Sequence, residues 1–293
     1  MSAGGAAASR VRVAKRTARR VVQAYARPTA GLRVLPGYLI IGAQRAGTTS
    51  VHRYLTQHPA VGTMLRTKGV HFFDSPDYVK GMAWYAAHFP SRAYGWWVRR
   101  RTGAALLTGE ASPYYLFHPS VPARVATQLP GVKLIVLLRD PVQRAYSHYQ
   151  HEVARGFETL GFEEAIEREP ERLTGEAERL LADPLATSFS YQHHSYLARG
   201  FYAEQLTAWW AHVPAEQMLV LSSERFFADP AAAFRRVLDF LGLPPFTPSA
   251  YERHNAHTYG RMGQGVRQRL AAYFREPNRR LYAALGSDLG WDP

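Results

Sequence analysis

The stretch "LIIGAQRAGTTS", Leu39 to Ser50, carries Gly42, four residues, Gly47 and then three hydroxyls at Thr48, Thr49 and Ser50. The spacing fits the phosphate-binding loop G-x-x-x-x-G-K-[ST] at every position but one. Thr48 stands where that loop places the lysine that neutralises the β- and γ-phosphates of a nucleoside triphosphate. The glycines let the backbone turn tightly, so the amides of residues 45–50 can converge on one anion at a helix N-terminus. Arg45 adds a fixed cation. Without the lysine the loop is poorly built for two phosphates with magnesium and well built for one terminal phosphate or phosphosulfate. Gln44, Arg45, Ala46, Gly47, Thr48, Thr49 and Ser50 are therefore the first candidate binding set.

A second anion site is expected at "VKLIVLLRDP", Val132 to Pro141, and the helix after it. Arg139 closes the apolar run, and Ser147 falls about two turns into that helix. An arginine fork plus a hydroxyl is a natural clamp for a separate phosphate. Two anion sites with no metal-binding acid point to a bisphosphate nucleotide.

The elements that must position these residues follow from the pattern. Tyr38 to Ile41 is short, apolar and ends at glycine, as a buried parallel strand does. Thr48 to His58 reads as a helix that stops at Pro59, so strand, glycine loop and helix open a βαβ unit. Val132 to Arg139 repeats the logic, with Asp140 as cap and Pro141 at the first helical position. Further strands are expected at Ala105–Thr108 and Met218–Ser222. Helices are expected at Tyr78–His88, Val121–Gln128, Pro141–Arg155, Phe201–His212 and Pro230–Leu241, and Glu163 to Leu181 reads as an exposed helix. Strands alternating with helices imply an α/β fold, three layers deep, around a central parallel sheet. Ligands of such sheets sit beyond the carboxyl ends of the strands, where Gly42 and Arg139 both fall.

Composition sets the limits. Hydrophobic residues make up 46% of the 293, so the chain can bury a core, and no run is long enough for a membrane span. Cysteine is absent, which removes disulfides and thiolate chemistry. The net charge is +13, and residues 1–33 hold eight Lys or Arg with no acid; subtracting those eight leaves +5 for the rest. A basic leader over residues 1–36 and one domain over 37–293 are expected. The leader lacks an apolar signal region. Val11, Ala14, Ala18, Val21 and Tyr25 share one helical face, which suits a flexible tail or a helix in peripheral contact with anionic lipid. No nucleic-acid-binding signature accompanies the charge. A cytoplasmic location fits this composition.

The combination "YLIIGAQRAGTTSVHRYLTQHP", "VHFFDSPDYVKGMAWYAAHFP", "GEASPYYL", "LIVLLRDPVQRAYSHYQHE" and "REPNRRLYAALGSDLGW" resembles the PAPS-dependent sulfotransferases, on the branch of the heparan-sulfate N- and O-sulfotransferase domains. The resemblance runs from Tyr38 to Trp291. It implies a P-loop-like fold and metal-free transfer of a sulfuryl group from 3′-phosphoadenosine 5′-phosphosulfate (PAPS) to a hydroxyl, or less readily an amine, with release of PAP. The implied acceptor is a carbohydrate: a polysaccharide, glycolipid or glycosylated small molecule. The glycine loop would take the 5′-phosphosulfate, with Arg45 in place of the family's lysine. Arg139 and Ser147 would take the 3′-phosphate, and Tyr259, Gly260 and Arg261 match the loop that closes over the nucleotide.

The resemblance also exposes a gap. In "TKGVHFFD", Gly69 stands where the glycosaminoglycan enzymes carry a glutamate base. His71 and Asp74 match other active-site positions, and a neutral imidazole is a competent general base near pH 7. Lys68 would neutralise charge on the transferring group. Glu110 is expected either to bind acceptor or to act as a buried hydrogen-bond partner, with Tyr114, Tyr115 and Gln192 as further acceptor contacts. Two rival readings remain: a catalytically degenerate PAP- or PAPS-binding protein, and a P-loop phosphotransferase.

Overall fold

The computed structural model describes residues 28–64, 68–254 and 260–291. Its five strands are β1 (Tyr38–Gly42), β2 (Val61–Gly62), β3 (Leu107–Ala111), β4 (Lys133–Leu138) and β5 (Met218–Ser222), all parallel in the order β2-β3-β1-β4-β5. Every residue of β1 and all but the first of β4 are buried, as strands covered by helices on both faces must be. This is the expected α/β architecture. The core runs along Leu39, Ile40, Ile41 and Leu134 to Leu138 and out to Trp209, Phe226 and Phe234.

Chain order fixes where a ligand can sit. From β1 the chain moves outward to β2 and back to β3, whereas from β4 it moves the other way to β5. The strand order therefore switches between β1 and β4, which leaves a crevice beyond their carboxyl ends. Ala43 N donates to Leu137 O at 2.7 Å and extends the pairing to the mouth of that crevice.

The helices that flank it form for local reasons. Thr48–Leu55 begins at Gly47, whose φ of 103° is open to glycine, and buries Val51, Tyr54 and Leu55. Pro141–Ala154 is capped by Asp140, whose carboxylate accepts from Val142 N at 2.9 Å, with proline at its first position. Helices Val121–Gln128 and Pro230–Leu241 and strand β5 have the expected boundaries.

Several expectations change. β3 lies further along the chain than Ala105–Thr108, because its pairing with β1 sets Gly109 against Tyr38 and Ala111 against Ile40. Tyr78–His88 splits at Gly81 into a 3-10 turn, Pro76–Lys80, and a short helix, Met82–Ala86. The segment Glu163 to Leu181 is three short helices rather than one: Phe162–Glu167, Glu169–Leu173 and Glu176–Ala182. Glu169 is buried there, accepting from Leu197 N and Ala198 N at 2.7 Å each, and burial pushes its carboxyl up to about 7. Helices Arg92–Thr102 and Gln264–Leu285 were not anticipated. The leader falls outside the described residues, apart from its last few.

Candidate active site

The loop after β1 and the end of β4 meet at Arg45. Its Nε donates to Ser147 Oγ at 3.1 Å, and Arg139 Nη1 donates to the Arg45 carbonyl at 3.1 Å. The two anion sites expected from separate stretches are thus one continuous basic surface at the switch point of the sheet. Thr48–Leu55 starts with no side-chain cap, so its first turn is open to an acceptor from a ligand. Thr48, Ala46 and Ser50 are buried, and Ser50 Oγ accepts from His254 N at 3.0 Å. The amide oxygen of Gln44 accepts from Arg199 Nη1.

The lysine missing from position 48 is supplied from another segment. Lys68 Nζ donates to Thr48 Oγ1 at 3.1 Å and to Thr49 Oγ1 at 2.9 Å, so its ammonium sits on the loop hydroxyls. Burial pulls it down to about 8.

Three residues further on, His71 Nδ1 lies 2.8 Å from Asp74 Oδ2. The imidazole is 48% exposed and the carboxylate 2%. Burial pulls the imidazole down, but the hydrogen bond and charge of Asp74, with Glu110 behind, outweigh it and leave His71 above its ordinary value. Because Nδ1 is tied to the carboxylate, Nε2 is the ring's proton acceptor. Arg45 (φ 71°) and His71 (φ 55°) are the two non-glycine residues with positive φ among the described residues. Such backbone costs about 1–3 kcal/mol and gathers where a site over-determines geometry.

Gly69 is held for a packing reason. A Cβ there would stand 2.5 Å from Ala111 O and 2.6 Å from Ser112 Oγ. The segment is pinned to β3 by Ala111 N on Lys68 O at 2.9 Å and His71 N on Ser112 Oγ at 3.2 Å. Glu110 completes the attachment. Fully buried, it accepts from Val70 N at 2.5 Å, Tyr85 Oη at 2.7 Å, Ser112 Oγ at 2.9 Å and Tyr115 Oη at 3.0 Å. Of its two expected roles, Glu110 has that of buried hydrogen-bond partner. The expected acceptor contact at Tyr115 is corrected likewise, since its ring is fully buried and its hydroxyl accepts from Phe72 N at 2.9 Å.

Tyr114 is 7% exposed, and its ring lies 4.8 Å under the Arg199 guanidinium. Gln192 is exposed, and its carbonyl accepts from Arg199 Nη2 at 2.7 Å. Gly260 and Arg261 are exposed ahead of helix Gln264–Leu285, and Tyr259 lies outside the described residues. Arg199 itself escaped the sequence reading. It is 3% exposed and held below its ordinary range, to about 10, by burial. Nothing in "YLARGFY" signals that it spans from Gln192 to Gln44.

A cleft of about 430 Å3 opens beside Arg139 and is lined also by Gln143, Arg253, Arg267, Phe274 and Trp291. The Arg253 guanidinium stacks 4.6 Å over the Phe227 ring, which lies so close to Gly47 that a Cβ there would fall 2.6 Å from it. The cleft and the glycine loop are therefore neighbours, and Asp140 and Glu224 line the cleft beside its arginines.

Residues 35–264 match a family model described as sulfotransferase domain. Heparan sulfate glucosamine 3-O-sulfotransferase 3B1 of Mus musculus is 32% identical over 289 residues, covering 90% of this chain and 66% of that protein. The bifunctional heparan sulfate N-deacetylase/N-sulfotransferase 2 of Homo sapiens is 32% identical over 218 residues, 72% of this chain and 22% of its own length. A crystal structure of a sulfotransferase from Alicyclobacillus acidocaldarius, 30% identical, superposes with a TM-score of 0.64 over 89% of this chain and 100% of that one.

Proposed function

This chain belongs to the sulfotransferase domain family, and on that premise we propose that it moves a sulfuryl group from PAPS to a carbohydrate hydroxyl. The observation that carries the reading is the junction at Arg45: Ser147 and Arg139 on one side, and Lys68 on the loop hydroxyls on the other. That arrangement offers separate cationic contacts to two anionic groups of one ligand. PAPS, when bound, supplies an activated sulfuryl group on its 5′-phosphate.

In this reading Gln44 to Ser50 hold the 5′ end, and Arg45 with the loop amides stabilises the charge that grows on the leaving phosphate oxygen. Lys68 neutralises the sulfonate oxygens. Arg139 and Ser147 take the 3′-phosphate, with Gly260 and Arg261 as further nucleotide contacts. His71 Nε2 receives the acceptor proton as the acceptor oxygen bonds to sulfur and the sulfur–phosphate oxygen bond breaks; Asp74 holds the imidazole and balances its charge. The names of the heparan sulfate relatives support a sugar acceptor in a polysaccharide, glycolipid or glycosylated small molecule.

The second reading, a PAP-binding protein without transfer, is favoured by Gly69, which provides no carboxylate. The His71–Asp74 pair argues against it. Titration calorimetry with PAP, ADP and ATP tests the nucleotide, and PAP is expected to bind about tenfold or more tighter than ADP through its 3′-phosphate. Labelled PAPS against an acceptor panel then tests transfer. PAP binding no tighter than ADP overturns the nucleotide assignment. Tight PAP binding with no transfer to any acceptor leaves the second reading.

A further inference from the structure

Helix Arg92–Thr102, "RAYGWWVRRRT", stands apart from the site and buries one residue, Val98. At about 100° per residue, Ala93, Trp96 and Arg100 point away from Val98, while Trp97 stands about 100° round from it and Arg101 about 60° round on the same side. Trp96 is 62% exposed, Trp97 46% and Tyr94 47%. Two tryptophans turned outward on one helix are not the scattered apolar exposure of an ordinary surface.

The arginines are placed with the rings. Arg100 lies 5.0 Å over Trp96 and Arg101 5.4 Å over Trp97, while Tyr94 and Trp97 stack at 5.7 Å. The helix contains no acid, and no ion pair among the described residues involves Arg92, Arg99, Arg100 or Arg101. The segment Thr29 to Leu35 runs beside the helix start, joined by Val34 N on Pro90 O at 2.9 Å and by a bridge between Arg33 and Ser91. It adds Leu32 at 61% and Leu35 at 43% exposure. The first acid anywhere in the sequence is Asp74.

We propose that helix Arg92–Thr102 and the Leu32–Leu35 segment form a docking surface for an anionic lipid bilayer, with the helix lying in the plane of the headgroups. Tryptophan and tyrosine settle at that depth, where one edge of the ring is apolar and the other wet. Arginine stems lie along apolar surface while their heads meet lipid phosphates. Exposed leucines gain from a bilayer and gain nothing from a polysaccharide or a nucleic acid, which decides between anionic partners. The surface is independent of the nucleotide and of the reaction.

The test uses the full chain with vesicles of phosphatidylcholine alone, or of phosphatidylcholine with phosphatidylglycerol. The expected result is binding to the second kind only, with tryptophan fluorescence quenched by brominated lipid. Residues 1–27 contain no tryptophan, so the leader contributes no quenching, and its loss on replacing Trp96 and Trp97 assigns it to the helix rather than to the partly exposed Trp210 and Trp291. At about fivefold per basic residue, Arg100→Gln with Arg101→Gln is expected to weaken partition about 25-fold. Trp96→Ala with Trp97→Ala is expected to abolish the quenching and weaken partition about tenfold. Both pairs are exposed, and thermal melts matching the wild type separate lost docking from lost folding. Vesicle binding without quenching, or unchanged partition in both variants, overturns the proposal. So does loss of heparin or oligonucleotide binding with vesicle binding retained.

Discussion

Writing a glutamate into position 69 asks whether the missing base left an open place or a packing requirement. A Cβ at Gly69 would stand 2.5 Å from the Ala111 carbonyl, which belongs to a buried strand and cannot give way. The segment must lift instead, and three hydrogen bonds go with it. They are Ala111 N to Lys68 O at 2.9 Å, Val70 N to Glu110 at 2.5 Å and His71 N to Ser112 at 3.2 Å. Two neutral bonds near 1 kcal/mol and one to a carboxylate near 2 give a loss of about 4 kcal/mol. At about 2–4 °C per kcal/mol, Gly69→Glu is expected to lower Tm by about 8–16 °C. Gly69→Ala meets the same clash with one carbon and is expected to lose about 1–3 kcal/mol. Turnover falls in both, because Lys68 and His71 are displaced together. Thermal unfolding beside a labelled sulfuryl-transfer assay reads both effects. Gly69→Glu protein with a wild-type Tm and equal or greater turnover would refute the packing argument.

Arg45→Ala is expected to cut turnover by about 2.7–4 kcal/mol of barrier, as for one lost transition-state donor, with modest harm to PAP binding. Arg139→Ala is expected chiefly to raise the Michaelis constant for PAPS; equal, small effects of the two changes would contradict both roles. The pH profile of kcat/KM should rise through a midpoint above the usual histidine value of 6.5, since His71 acts neutral and its proton is held by Asp74. Asp74→Asn should move that midpoint downward, because burial then acts without its counterweight. The linked stability has the opposite sense: His71 stabilises the fold fully below 6.5, and the contribution is lost as pH rises through its raised folded value. A falling limb near pH 8 is expected from Lys68, and Lys68→Met should remove it. Glu110→Gln should cost about 2–3 kcal/mol in a denaturant melt, because Val70 N loses a carboxylate partner.

The sequence exposed those parts of the fold whose signals are local. β5, Val121–Gln128 and Pro230–Leu241 are bounded by breakers and caps, so their ends were readable. β3 was misplaced because its register is set by β1, a partner far away in the chain. The glycine loop and the arginine at a strand end were legible as residues that face one crevice. Their fusion through Arg45 was not, since it depends on a side chain crossing to Ser147. Glu110 stayed open between two roles, and Tyr115 misled, for a related reason: polar atoms in a motif look like ligands until their buried partners are known. Arg199 was invisible because a buried cation among carbonyls leaves no periodicity.

Lys68 gives the loop hydroxyls a second cation, beside Arg45, from a segment outside the loop. Positions 48 and 68 lie on different segments yet share one site, so they should drift as a pair. A chain that regains lysine at 48 would crowd the ammonium of Lys68, so like charge should select for a smaller or neutral residue at 68. Aligned relatives are expected to carry one basic residue across positions 48 and 68 more often than two or none. A directed-evolution library that varies 48 while fixing 68 would explore mostly inactive combinations, and one that varies both would not.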